Sequence, residues 1–327
     1  MTGWRWESYR SVEVQVPDDW RYGTTNSPPC LVKELRPPYV GRPGAVRGIG
    51  CRDPLPPLPF RASYLWFDAD RRQRGRPIPD MPGFAGPREP GVQPEDHGWT
   101  EETRVVDGVY LTVLSDDNAL RQRILDSARV IDGTDAYGCP PDHPLAAPPD
   151  HHPIANSPAD ARRHQPVLRP TDSGGLASLG PVDSIIVCRY AISRSRLGSD
   201  PADGVFPRTV PHRRAALIAS SLIRGPAAAA LAEAIVDAPE GFGPEDLGCI
   251  DILGLELIVL KARAGDREQE VLVRYAGCHF NGTDDGTTRR RLTTAVVQPL
   301  LIGPHQQTSY NGGLYELVHG RPPIHKP

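Results

Sequence analysis

The loop that follows Cys278 carries the densest set of side chains that could do chemistry. Within the stretch CHFNGTDDGTTRRR, oxygen donors are supplied by Asn281, Asp284 and Asp285. Donors of this kind bind calcium when the backbone curls around the ion. The ligand spacing of an EF-hand and its terminal glutamate are absent. The loop therefore has the donors of a calcium site without its characteristic pattern.

The same loop has a structural interpretation, which we favour. Gly282 and Gly286 permit turns, and Asp285 and Thr287 can cap a following helix. The three arginines at 289–291 can neutralise the two carboxylates in solvent. Under this interpretation the loop is a turn and holds no metal.

Tryptophans of the N-terminal region form a second set of candidates, this time for binding. They are Trp4, Trp6, Trp20 and Trp66. Together with neighbouring tyrosines they could line a groove for a ligand or a polymer. Large aromatic residues are also common in the core of a small, loop-rich domain. The sequence leaves both interpretations open.

The chain contains none of the motifs that identify common catalytic sites. GxSxG, HExxH, GxxxxGK[ST] and a GxGxxG after a strand are all missing. Cys188 lies in the apolar run SIIVCRYAI, where a cysteine is usually buried and inert. An enzyme of unrecognised class would use Asp284 and Asp285 with His279. No cofactor is expected.

The cysteines are even in number, and none is arranged as a CxxC or beside a histidine at the spacing of metal ligands. Zinc is therefore not expected, and three disulfides are conceivable. Six reduced thiols in a cytosolic protein is the alternative. The cysteines are Cys30, Cys51, Cys139, Cys188, Cys249 and Cys278.

One pairing of cysteines follows from hairpin geometry. The run LELIVLKARAGDREQEVLVRY predicts two strands that turn between Arg263 and Asp266, so position 249 faces about position 280. Cys249 and Cys278 should therefore meet, and a bridge across about 30 residues stabilises by roughly 3.6 kcal/mol in the chain-entropy treatment. The other pairs rest on elimination and are Cys30 with Cys51 and Cys139 with Cys188.

The elements that position these residues fall into two islands. In the first, VEVQVP alternates as a half-buried strand does, and GVYLTVL predicts another strand. A helix follows over ALRQRILDSARV, with Ser115 or Asp116 as its N-cap and Gly133 as its stop. The second island has two apolar strands, a helix over PAAAALAEAIVDA, the hairpin, and a short helix that begins at Thr287 or Thr293.

Between the islands, residues 139–182 show no periodicity and are rich in Pro, Ala, His and Ser, as in a linker. A metal site on the histidines of this tract is not expected, because a mobile tract loses entropy when it wraps an ion. We therefore predict an α+β fold of two small mixed domains, 1–138 and 183–327, with antiparallel sheets and few helices, joined by the Pro-rich linker 139–182.

The composition argues against several functional classes. A net charge of -3 and a pI near 6.4 give no general attraction to nucleic acid or to an anionic membrane. No run approaches the roughly 18 to 20 apolar residues of a membrane span. The start, MTGWRWESYR, lacks the apolar region of a signal peptide. Composition does not bear on the oligomeric state.

Four stretches resemble a group of actinobacterial proteins that commonly look exported or membrane-anchored. They are GWRWESYRSVEVQVPDDWRYG, RILDSARVIDGTDAYGC, VCRYAI and VRYAGCHFNGTDDGTTRRRLT. The first island is also similar to PsbP-like domains of lipoproteins, and the second is faintly similar to subtilisin-inhibitor-like domains. The resemblance implies a location outside the cytoplasm, where disulfides form, with this chain as a mature fragment or an ectodomain. Likeness of fold implies no catalytic residue.

We therefore expect an extracytoplasmic binding or interaction module that disulfides stabilise and that recognises a protein or a cell-envelope ligand. A cytoplasmic location stays open. One rival is an enzyme of unrecognised class that uses the acidic loop. The other is a protease inhibitor that presents the segment 193–211, around Arg196, to its target.

Overall fold

The protein has a mixed α+β fold with few helices and three mostly antiparallel sheets, which confirms the predicted fold class. A computed structural model describes residues 3–23, 37–42, 58–69, 89–146, 169–171, 174–192, 215–245, 256–277, 280–306 and 312–319. The chain divides into two compact units, which are Met1–Ala136 with Ile302–Tyr310 and Tyr137–Leu301 with Asn311–Pro327.

The strands of the first unit are β1 (Trp4–Tyr9), β2 (Val12–Pro17), β3 (Arg21–Tyr22), β4 (Tyr39–Gly41), β5 (Tyr64–Ala69), β6 (Gly91–Pro94), β7 (Thr100–Val106), β8 (Val109–Ser115) and β9 (Arg129–Val130). They form a three-stranded antiparallel sheet in the order β1-β2-β9 and a six-stranded sheet in the order β3-β4-β5-β8-β7-β6. The β3–β4 and β4–β5 pairs are parallel. In β2 the three valines are completely buried, as its alternation predicts.

Helix α1 (Asn118–Asp126) packs against β8 and β2. Its N-cap is Asp117, whose carboxylate accepts a hydrogen bond from the Leu120 amide at 3.0 Å. The two residues before it, which the sequence suggested as caps, lie in β8 and in the bend that follows. The helix ends well before the predicted stop at Gly133, because β9 follows it and pairs with β2.

The strands of the second unit are β10 (Ser184–Ile192), β11 (Ala215–Arg224), β12 (Glu256–Ala264), β13 (Arg267–Arg274), β14 (Gly282–Asp284) and β15 (Arg289–Arg290). They form one antiparallel sheet in the order β11-β10-β12-β13-β14-β15. The predicted hairpin is β12–β13, and its turn lies one residue later than expected because Ala264 pairs with Arg267.

The helices of the second unit are α2 (Pro226–Val236), α3 (Thr294–Val297) and α4 (Gly312–His319). Helix α3 begins after Thr293, the second of its two predicted starts, and the Thr293 hydroxyl accepts a hydrogen bond from the Val296 amide at 3.4 Å. The apolar core lies between these helices and one face of the sheet, and includes Ile185, Val187, Ile258, Leu260, Val271, Val273, Leu231, Ile235, Val297 and Leu314. Among the described residues, no helix is long and apolar enough to cross a membrane.

The predicted linker needs correction at both ends, where the chain packs into the second unit. Residues 137–146, here called the covering segment, lie on the sheet face opposite the helices. The Tyr190 hydroxyl donates to the Pro140 carbonyl at 3.0 Å, and the Leu217 amide donates to the Pro141 carbonyl at 2.8 Å. Near the other end, Leu176 is part of the apolar core. Contacts between residues far apart in sequence order these stretches, so local periodicity did not reveal them.

Candidate functional site

Asp284 lies in β14, and arginine side chains occupy its carboxylate. Arg169 donates from Nε to Oδ2 at 2.9 Å and from Nη2 to Oδ1 at 2.8 Å. Arg289 donates from Nε to Oδ2 at 3.0 Å, and the Gly286 amide donates to Oδ1 at 3.0 Å. Burial alone would raise the pKa of Asp284, but these hydrogen bonds outweigh it and lower the pKa. Two guanidiniums beside one carboxylate leave a calcium ion little negative charge to bind.

Asp285 is occupied by backbone donors. Its Oδ1 accepts from the amides of Thr287 at 3.0 Å and Thr288 at 2.6 Å, and its Oδ2 accepts from the Leu176 amide at 2.9 Å. Asp285 thus caps a turn between two strands and ties it to the chain near position 176. The first of the two predicted helix starts, Thr287, is not used, since 289–290 form β15.

Asn281 closes the loop at the end of β13. Its Oδ1 accepts from the Gly277 amide at 3.0 Å, and its Nδ2 donates to the carbonyls of Gly277 at 2.7 Å and Pro244 at 2.9 Å. The side-chain amide therefore staples residues 277 and 281 together. No group of three or more His, Cys, Asp or Glu side chains is arranged for a metal in the part of the chain that the structure describes. These contacts favour the structural interpretation of the acidic loop.

The covering segment is fastened by a disulfide and by a histidine. Cys139 is bonded to Cys188 of β10, the pairing that elimination left. His143 is buried, its Nδ1 accepts from the Leu145 amide at 3.2 Å, and its Nε2 lies 3.0 Å from Glu270 Oε1. Because Nδ1 accepts a hydrogen bond, Nε2 carries the hydrogen and donates a hydrogen bond to Glu270. This hydrogen bond lowers the pKa of Glu270, against the opposing effect of burial.

A buried ion pair on the helix-covered face of the sheet was missed from the sequence. Arg189 donates to Glu256 at 2.5 Å, and the Tyr275 hydroxyl donates to the same carboxylate at 3.1 Å. Burial raises the pKa of Tyr275 above its usual range. The signal was available, because Arg189 is a charged residue inside the otherwise apolar run SIIVCRYAI. Such a residue usually has a buried partner of opposite charge.

The structure separates the four tryptophans that were grouped as a binding set. Trp20 is buried. Trp66 packs with Trp99 against Tyr64 and other residues of the six-stranded sheet. Its ring lies so close to Gly41 that a Cβ there would stand 2.1 Å from the ring, so this position requires glycine. Trp20 and Trp66 are therefore packing residues.

Trp4 and Trp6 lie on β1 and are partly exposed, as Trp66 is, but each of them contacts an arginine side chain. Side chains two positions apart on a strand share one face. The guanidinium carbon of Arg123 lies 3.8 Å from the centroid of the Trp4 ring, and that of Arg129 lies 4.2 Å from the centroid of the Trp6 ring. We call these four residues the tryptophan–arginine face. The sequence indicated the tryptophans, whereas the arginines come from α1 and β9.

A buried carboxylate holds β1 in place from the opposite side. Glu7 is almost completely buried and accepts hydrogen bonds from Arg5 Nε at 2.7 Å, Arg42 Nη2 at 2.5 Å and the Tyr22 hydroxyl at 2.8 Å. Burial raises the pKa of Tyr22 above its usual range, and the adjacent Glu7 charge adds to the effect. Because Glu7 faces inward, its neighbour Trp6 on the strand faces the other way.

Several predicted residues lie outside the described part of the chain. They are Cys30, Cys51, Cys249, Cys278, His279 and Arg196, the last within the segment 193–211. The two remaining disulfide pairs, the histidine of the suggested acidic-loop enzyme and the inhibitor segment therefore stay predictions.

Comparisons of this chain with protein-family models, with curated proteins and with solved structures find no match. The resemblances to exported actinobacterial proteins, to PsbP-like domains and to subtilisin-inhibitor-like domains stay predictions.

Proposed function

We propose that the protein is an extracytoplasmic binding or interaction module, stabilised by disulfides, whose binding surface is the tryptophan–arginine face. The observation that carries this proposal is the contact of two exposed arginines, Arg123 and Arg129, with the rings of the partly exposed Trp4 and Trp6. Tryptophan and arginine contribute most strongly to binding at protein surfaces.

The contacts of the acidic loop weigh against the rival enzyme. A general acid or base must exchange a proton with a substrate and must therefore reach it. Asp284 is held by Arg169 and Arg289, and Asp285 is held by backbone amides. Neither carboxylate has the free, partly solvated oxygens that such chemistry uses.

The Cys139–Cys188 bond supports the proposed location. Structural disulfides form and persist in oxidising compartments and are rare in the cytosol of most organisms. The bond joins the covering segment to a central strand, where both cysteines are completely buried. A buried bond of this kind fits a stabilising role better than catalytic thiol chemistry.

Co-sedimentation with an insoluble actinobacterial cell-envelope fraction tests the proposal. We expect the oxidised full-length protein to sediment with the fraction. The double variant Trp4→Ala, Trp6→Ala should bind at least about tenfold more weakly, because it removes the aromatic surface. Arg10→Gln is the matched control, because Arg10 is also an exposed arginine near an aromatic ring but is not part of the tryptophan–arginine face. Its guanidinium lies 5.7 Å from the Tyr9 ring centroid.

Thermal unfolding of each variant separates lost binding from lost folding. A wild-type protein that stays in the supernatant would contradict the proposal for envelope ligands. Equal sedimentation of the wild type and of a folded double variant would show that another surface binds.

A further inference from the structure

The two arginines of the tryptophan–arginine face differ in how their charges are satisfied. Arg129 pairs with the buried carboxylate of Glu13, with Nε at 2.7 Å and Nη2 at 2.6 Å from the same oxygen. Arg123 is exposed, and no described residue forms an ion pair with it. The face therefore carries, at its Trp4 end, one positive charge that no described residue neutralises.

The stacking geometry leaves Arg123 able to bind an anion. A guanidinium that lies over an aromatic ring uses its flat surface for the cation–π contact. Its N–H groups point outward in the plane of the guanidinium and match the two oxygens of a carboxylate. Trp4 thus restricts the Arg123 side chain before a ligand arrives. Because the side chain is already ordered, it loses less conformational entropy when an anion binds.

The indole rings give the same face an apolar component. Trp4 and Trp6 are about 7 Å apart along the strand, as expected for residues two positions apart. Both residues are partly exposed. The face therefore presents a cation that no described residue pairs with, beside two partly exposed indole side chains. A complementary ligand carries negative charge on a flat, partly apolar ring.

We propose that the tryptophan–arginine face binds an acidic polysaccharide, with a uronate carboxylate on Arg123 and the C–H face of a sugar ring against the exposed part of the indoles. This inference rests on the proposed function and names its ligand class. Single-stranded nucleic acid would use similar contacts, but it binds along an extended basic groove, which the four residues of this face do not form. One free arginine is likewise too little for stable attachment to an anionic membrane.

Biolayer interferometry on the immobilised, oxidised full-length protein can test the ligand class with matched polymers. Polygalacturonate offers rings and charge. Its methyl ester offers rings without charge, and polyglutamate offers charge without rings. Oligo-dT represents nucleic acid. We expect polygalacturonate to bind at least about tenfold more tightly than either partial mimic, and its binding to weaken as salt rises.

Variants assign the binding to the face. Arg123→Gln should weaken polygalacturonate binding by about tenfold, because it removes a charge-assisted pair of hydrogen bonds. This side chain is exposed, so the variant should fold normally. Arg10→Gln should bind as the wild type does. An unchanged affinity in Arg123→Gln would overturn the inference.

The remaining outcomes separate this inference from the proposed function. Equal binding of the ester and the acid, or tighter binding of oligo-dT, would overturn the acidic-polysaccharide assignment. If no polymer binds but envelope sedimentation still depends on Trp4 and Trp6, the inference fails and the proposed function stands. If sedimentation also fails, both are overturned.

Discussion

At the scale of single residues, several buried carboxylates in this protein are neutralised by arginine. Glu7, Glu256 and Asp284 each accept a hydrogen bond from at least one guanidinium. Lysine occurs only at Lys33, Lys261 and Lys326 in the whole chain. The planar guanidinium suits these sites because it can bind one carboxylate through two N–H groups. Carboxylates that look available in the sequence are thus already partnered.

Asp284→Asn tests whether the acidic loop is structural. Arg169 and Arg289, which are partly exposed, would lose the charge that they share, and a hydrogen bond to a charged group contributes about 1.5 to 3 kcal/mol. We expect a loss of this size in the free energy of unfolding measured in urea. The control Asp266→Asn, at an exposed position in the β12–β13 turn, should change it by less than about 0.5 kcal/mol.

The effect of calcium on the melting temperature tests whether Asp284 belongs to a metal site or to a structural turn. We expect millimolar calcium to leave the melting temperature of the wild type unchanged, because both oxygens of Asp284 already accept hydrogen bonds from arginine. A calcium-dependent rise in melting temperature that Asp284→Asn abolishes would restore the metal interpretation.

At the scale of elements, the attachment of the covering segment to the sheet is stabilised by the ionised form of one glutamate, Glu270. The hydrogen bond from His143 lowers the pKa of Glu270 below its usual value of 4.5. A carboxyl group whose pKa is lowered by folding stabilises the folded state above its unfolded pKa. That stability is lost as the pH falls through the lower folded pKa. The nearby Lys261 also favours the charged form of Glu270.

We therefore expect the wild type to lose stability below pH 4.5, and the covering segment to exchange its amide hydrogens faster there. Glu270→Gln should lose less stability over the same range, because it has no carboxylate to protonate. Glu268→Gln is the control on the same strand, since Glu268 is exposed and pairs with Arg263. Identical pH profiles for wild type and Glu270→Gln would contradict this account.

At the scale of the whole molecule, the pairing of all six cysteines distinguishes the two proposed locations. A bridge that spans 49 positions, as Cys139–Cys188 does, stabilises by about 4 kcal/mol in the chain-entropy treatment. We expect no free thiol in the denatured, unreduced protein, and mass spectrometry should find the Cys139–Cys188 peptide pair. Six free thiols in freshly prepared native protein would favour the cytoplasm and contradict an extracytoplasmic module.

The same peptide map tests the pairs outside the described residues. A peptide that joins Cys249 to Cys278 would support the prediction from the hairpin. Any pairing that separates them would contradict it, and would leave Asn281 as the side chain that closes the loop after β13.

Elements with a local signature were predictable, and contacts between distant residues were not. The alternating valines of β2, the helix after Pro226 and the β12–β13 hairpin follow from periodicity and turn residues, which depend on neighbours in the chain. Asp284 is held by Arg169, 115 positions away, and His143 meets Glu270, 127 positions away. Strand order brings these pairs together, and several strand orders are compatible with the same local pattern. The sequence therefore predicted an α+β protein with an acidic loop, whereas the folded chain placed arginines around that loop and left Trp4 and Trp6 at the surface.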